Sequence, residues 1–303
     1  MQAAEEILPN PPLPEALREA SQRGKLIPFI GAGASKLAGC PNWSDFADAS
    51  LRFFVDKGKF TYNQLEQLRS LSPRVRLSLA LALQEEHQLK IKFEEILHPD
   101  GELINPVGRR LYACLSQLGR IFVTTNYDGW LDRRTFPEPA SLLARPTGAT
   151  PAVPEARNIV YNVSEITPDL LSKDNTVIHL HGSIRAPEGM ILSTQHYVKH
   201  YANDRRTGQA SAENPVLRFL EFLFNERTVL FVGYGLEELE ILEYVILKAG
   251  QARESRPTEA RHFLLQGFFS HEKLLYRSLS DYYLRVSTTN FFDGHSVLAG
   301  QVW

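Results

Sequence analysis

The stretch "KLIPFIGAGAS", residues 25–35, places the bulky run Leu26-Ile27-Pro28-Phe29-Ile30 directly against Gly31-Ala32-Gly33-Ala34-Ser35. A short, unbroken apolar run has the length and character of a buried strand. The sudden change to the smallest side chains has two readings. Either a tight turn joins two packed elements, or something approaches the backbone closely.

Further short apolar runs follow along the chain: 120–124 (RIFVT), 176–180 (TVIHL), 190–193 (MILS), 228–232 (TVLFV), 262–265 (HFLL) and 283–287 (YLRVS). Most are apolar at successive positions, which suits parallel strands covered on both faces. The long interval after the first run reads as helical. Pro41-Asn42-Trp43-Ser44-Asp45 opens it, with Asn42 or Ser44 as N-cap. The composition of 74–97, rich in Leu, Ala, Gln and Glu, predicts helix throughout. Residues 214–225 form a second helical pattern with Pro215 in the first turn, and 236–249 a third. Repeated prolines make 134–174 a mostly irregular excursion. These elements predict an α/β fold: a Rossmann-like, mostly parallel sheet with helices on both faces and an inserted helical subdomain at about 44–118. The main domain would run over 25–290, after an N-terminal extension (1–24) and before a C-terminal tail (291–303).

Composition excludes several classes. Among 303 residues, 43% are hydrophobic and 22% charged, as in ordinary globular chains. A net charge of −2 gives no global case for nucleic-acid or anionic-membrane binding. No apolar run approaches the ~20 residues that span a bilayer. The acidic, proline-broken start does not read as a signal peptide. Two cysteines, Cys40 and Cys114, cannot build a disulfide framework and are too few for a structural zinc site without histidines. A reducing cytoplasm and no metal are the expectation.

The small and chemically capable residues gather where strands end. Gly31-Ala32-Gly33 follows the first run and Thr124-Thr125-Asn126-Tyr127-Asp128 the second. His179-Leu180-His181-Gly182-Ser183 ends the third, and Gly233-Tyr234-Gly235 follows 228–232. Ligands of open parallel sheets bind outside the carboxyl ends of the strands, so four such ends point to one site. Each segment also has a structural reading. The glycines can be turns, Asn126 a left-handed turn residue, Asp128 a helix cap, and His179 a core residue inside an apolar run. The dinucleotide glycine fingerprint is incomplete, because Lys36 stands where a third glycine is expected.

In this order, GAGAS, TTNYD, HGS and FVGYG resemble the sirtuin family, and more closely the bacterial sirtuin-like domains of anti-phage defence proteins. The resemblance spans about residues 25–290. It implies that Gly31, Ala32, Gly33 and Ser35 cradle the diphosphate of NAD+, with Thr125 also binding. It implies that Asn126 and Asp128 lie by the nicotinamide ribose, that His181 is the catalytic histidine, and that Gly233, Tyr234 and Gly235 border the adenosine half. On the cradle reading, a β-branched residue at Gly33 would fill phosphate space in a protein that stays folded. Two departures stand out. The four-cysteine zinc ribbon of deacylases is missing, and their Pro-Asp-Phe-Arg stretch is here Pro41-Asn42-Trp43-Ser44, without the arginine.

The resemblance therefore implies an NAD+ hydrolase that releases nicotinamide and ADP-ribose, acting as the toxic effector of an abortive-infection system. Asn126 would hold the ribose or the water. His181 would be a general base or ribose anchor, and Asp128 would stabilise positive charge or position the nicotinamide amide. A non-catalytic NAD or ADP-ribose sensor and an NAD-dependent deacylase remain alternatives. Control by a homo-oligomer, or by a second component such as an ATPase or Argonaute-type protein, is also implied.

Overall fold

β1 (Leu26–Ile30) is buried at every position and lies near the centre of the sheet. The computed structural model describes residues 13–99, 101, 104–134, 156–201, 214–234 and 262–265. Around β1 it arranges β2 (Ile121–Thr124), β3 (Asn158–Val160), β4 (Thr176–His179), β5 (Thr228–Val232) and β6 (Phe263–Leu265). The order is β3-β4-β2-β1-β5-β6, with every pairing parallel. A proline in a central strand removes a ladder hydrogen bond. Here β1 pairs with β5 along its length but with β2 only at Phe29 and Ile30. Pro28 thus sits before the β2 side of the ladder begins.

Side chains alternate between faces along a strand, and each face of β1 has its own helical cover. Ile27 and Phe29 pack with Val216, Phe219, Leu220 and Leu223 of α9 (Pro215–Glu226). On the other face, Leu26 and Ile30 meet α1 (Glu15–Gln22), α2 (Ala32–Leu37) and α7 (Pro106–Leu115) through Leu17, Ala34, Tyr112 and Leu115. The expected α/β sheet with helices on both faces is therefore present. Asn42 caps α3 (Trp43–Asp56) by accepting from the Asp45 amide. With α4 (Tyr62–Leu68), α5 (Pro73–His87) and α6 (Phe93–Leu97), α3 encloses a separate core of Phe46, Leu51, Phe54, Leu65, Leu77 and Phe93.

Three expectations differ from the structure. Residues 74–97 are not one helix. Gln88 adopts a left-handed conformation (φ 53°) that ends α5, and α6 restarts at Phe93. Residues 190–193 are not a strand. Met190 and Leu192 instead insert into the helical core, which is why the run is apolar. The proline-rich excursion contains a strand, β3, paired with β4. The helix expected at 236–249, the strand at 283–287 and the 291–303 tail lie outside the described residues.

Candidate functional site

The glycine run answers first to the strand beside it. The Gly31 amide donates to the Val232 carbonyl (2.9 Å) and the Gly33 amide to the Gly233 carbonyl (2.7 Å). A Cβ at Gly31 would stand 2.6 Å from the Gly233 oxygen, and one at Gly33 2.8 Å from it. Gly233 has φ +63°, and a Cβ there would meet the Ala34 nitrogen at 2.4 Å. Two backbones cross here with no room for a side chain. A valine at Gly33 would thus strike main chain before it reached any ligand, which corrects the expectation that such a variant stays intact.

Above this crossing opens a cleft of about 350 Å³. Ala32, Gly33, Ser35, Thr125, Asn126, Asp128, His181, Gly233 and Tyr234 all line it. Three strand ends and the start of α2 thus bring the expected residues together. Gly31 contributes its carbonyl from beneath, and Gly235 lies outside the described residues. The opposite wall is the helical module, through Trp43, Phe46, Arg74 and Leu97. Trp43 stacks with Tyr127 at 5.8 Å between ring centres.

Asn126 is fixed by a buried network. Its Nδ2 donates to the Gly31 carbonyl (2.9 Å) and to Ser35 Oγ (2.8 Å). A backbone carbonyl can only accept, so the amide orientation is determined. Nδ2 faces inward and Oδ1 remains as the group Asn126 has to offer. Ser35 donates to Asp128 Oδ2 (2.5 Å), so its hydroxyl proton is committed. The Tyr112 hydroxyl, 3.1 Å away, must then be the donor to Ser35. Burial, with the charge of Asp128, pushes the Tyr112 phenol well above its ordinary value. Asp128 Oδ1 also accepts the Trp130 amide (3.1 Å).

The two histidines have different surroundings. His181 reaches the cleft past Gly182, whose φ of +85° no side chain readily adopts. Its Nε2 lies 2.8 Å from the Tyr201 hydroxyl on α8 (Thr194–Tyr201). Burial, then His200 and Arg74, lower its pKa to about 3, so it is neutral at physiological pH. His200 is lowered to about 4, by burial. His179 is fully buried, with Nδ1 2.9 Å from the Asn126 carbonyl and Nε2 2.9 Å from Asp132 Oδ1. Both partners accept, so both ring nitrogens carry protons. Burial opposes that charge. The hydrogen bond and charge of Asp132, aided by the Asn126 carbonyl and Asp128, outweigh it and raise the His179 pKa. Arg185 supplies the second partner of Asp132.

Sequence reading missed Tyr112, Asp132, Arg185, Tyr201 and Arg74. None lies in a strand-end motif, and each reaches the site only through folding. Among the described residues, no group of three His, Cys, Asp or Glu side chains could hold a metal. Cys40 lines the cleft as a buried thiol whose pKa burial raises, with Asp128 adding to the effect, while Cys114 is exposed. Among the described residues, no helix is long and apolar enough to cross a membrane.

A six-stranded parallel sheet with helices around it is an α/β, Rossmann-like arrangement, and the cleft lies at the carboxyl ends of its strands, where such sheets bind ligands. A family model for the SIR2-like domain matches residues 120–286, more than half of the chain, which therefore belongs to the SIR2-like family. The matched stretch covers the Asn126 and histidine segments, while β1 and its glycines precede it. SIR2-like domains are in general NAD-dependent enzymes. Comparison with curated proteins gives no match.

Proposed function

We propose that the chain is an NAD+ glycohydrolase: NAD+ and water give nicotinamide, ADP-ribose and a proton. The observation that carries this is the fixed amide of Asn126, whose Nδ2 is held by Gly31 and Ser35. Its Oδ1 accepts a hydrogen bond from the attacking water or a ribose hydroxyl. Nicotinamide leaves as a neutral molecule, so no general acid is required. Positive charge develops on the ribose, as in other glycosidic cleavages. The apolar wall of Trp43, Phe46 and Leu97 excludes water from the departing ring. With its pKa near 3, His181 is too weak a base to remove a proton efficiently at neutral pH. Its role is to accept or donate a hydrogen bond to the ribose. Asp128, engaged by Ser35 and Trp130, positions Asn126 rather than meeting substrate.

Gly31, Ala32, Gly33, Ser35, Thr125, Gly233, Tyr234 and Gly235 are the proposed dinucleotide contacts or supports. In this reading the protein is a cytoplasmic effector of anti-phage defence, held in check by self-assembly or by an ATPase or Argonaute-type component. The missing zinc ribbon and the lost Pro-Asp-Phe-Arg arginine disfavour a deacylase.

Incubation of the purified chain with NAD+ tests the proposal, with nicotinamide and ADP-ribose quantified by chromatography. Release should persist in EDTA, and Asn126→Ala should lower kcat by about 100-fold or more (~2.7–4 kcal/mol for one lost electrostatic contact). Bound NAD+ that stays intact on long incubation would make the chain a sensor instead.

A further inference from the structure

The glycine run cannot by itself neutralise a diphosphate. The Gly33 amide is committed to Gly233, and α2 is a helix of only six residues. A cation in the cleft would add a charge-assisted contact to such an anion. We propose that Arg74 of α5 is the anion anchor of the cleft, receiving a phosphate of the bound nucleotide. This deepens the NAD+ reading and rests on it.

Three observations converge on Arg74. It lines the cleft together with Asn126 and His181. Its guanidinium lies over the Tyr197 ring, 4.0 Å from the ring centre, and Tyr197 in turn packs edge-on against His181 at 5.5 Å. Stacking on an aromatic face steadies a guanidinium while its planar fork of donors retains the geometry that matches phosphate. A second tie lies one turn further on: the Thr194 amide, at the start of α8, donates to Ser78 Oγ of α5 (3.1 Å). The helix that carries Arg74 is therefore fastened to the helix that carries Tyr197.

Charge in the cleft fits the same occupant. Among the described residues, its lining holds two formal cations, Lys36 and Arg74, and one carboxylate, Asp128. That carboxylate is already engaged by the Ser35 hydroxyl and the Trp130 amide. An excess of positive charge in a recess suits an anionic ligand.

Isothermal titration with ADP-ribose, which cannot turn over, tests the anchor. The variants are Arg74→Gln, which keeps a polar side chain without the charge, Arg74→Lys, and Arg52→Ala as an exposed cation of the same module. Arg74→Gln should weaken ADP-ribose binding by about 10–100-fold, as expected for a lost hydrogen bond to a charged group. It should also flatten the salt dependence of the affinity. Arg74→Lys should fall between it and the wild type, and Arg52→Ala should stay within about twofold. Wild-type affinity in a folded Arg74→Gln protein overturns the anchor and leaves the NAD+ reading standing. If Arg74→Gln does not fold, Arg74→Lys decides: an affinity about threefold or more below that of the wild type upholds the forked contact, and wild-type affinity overturns the anchor. Failure of the wild type to bind either ADP-ribose or NAD+ overturns the nucleotide reading and the anchor together.

Discussion

Replacing His179 with alanine should cost stability on a scale the structure sets. The imidazole is 0% exposed and donates to the Asn126 carbonyl and to Asp132, which is itself 0% exposed. Removing it leaves a buried carboxylate with Arg185, whose side chain is 41% exposed, as the remaining partner in that triad. Breaking one side of a buried ion pair costs about 3–5 kcal/mol. For a chain of this size, that lowers Tm by roughly 6–15 °C. The pH dependence follows from the two shifts. His179 is raised above 6.5, so its contribution is complete below that value and is lost as pH rises through the folded-state pKa. Asp132 is lowered below 3.8: burial would raise it, but the hydrogen bonds and charges of His179 and Arg185 prevail. Its contribution is complete above 3.8 and is lost as pH falls through the folded-state value. Calorimetry of wild type and variant should therefore show the widest Tm gap between about pH 4 and 6.5, narrowing towards pH 9. A gap under about 1 °C at pH 6, or one that widens with alkalinity, would refute the charged buried pair.

Two further substitutions, the first with a control, probe the floor and the network of the cleft. Gly33→Ala should lower stability by about 1–3 kcal/mol, because the added methyl meets Gly233 main chain. Gly189→Ala, with nothing within 4 Å of the new Cβ, should change Tm by less than about 2 °C; equal melting curves for the two variants would remove the crossing from the account. Tyr112→Phe keeps the ring stacked on Trp130 at 5.3 Å but removes the donor to Ser35. It should reduce kcat by about 3–10-fold (roughly 1 kcal/mol) with KM nearly unchanged, and an unaltered kcat would detach Tyr112 from the positioning of Asn126.

What could be read from the sequence was what neighbouring residues declare together. LIPFI and TVLFV are apolar at successive positions because β1 and β5 are covered on both faces. The strand-end motifs were visible because each packs unusual residues into a few positions. β3 was hidden because its three residues sit at the sheet edge, exposed at Asn158 and buried only at Val160. Met190 and Leu192 imitated a strand because burial in a helical core demands the same apolar character. Gln88 gave no warning of a helix end, since its left-handed turn is sealed by later contacts: Leu89 donates to the Gln84 carbonyl and Ile91 to its side chain. Tyr112, 77 positions from the serine it serves, has no local pattern at all. Its role exists only once α2 and α7 lie side by side.

The crossing of Gly31 and Gly33 over Gly233 also sets when the cleft can exist. Its floor is main chain from two segments far apart in the sequence, residues 31–33 and Gly233, and neither makes it alone. A chain emerging from the ribosome carries β1, Asn126 and His181 well before β5. Until residue 233 is synthesised and β5 docks beside β1, the Gly31 and Gly33 amides lack their acceptors. Contacts this distant in sequence form late, because closing the intervening loop costs entropy before it returns any bonding. Nascent and truncated chains that stop short of β5 thus hold the chemical groups of the site without the surface that assembles them. Any activity the cleft supports is confined to chains that have completed the sheet.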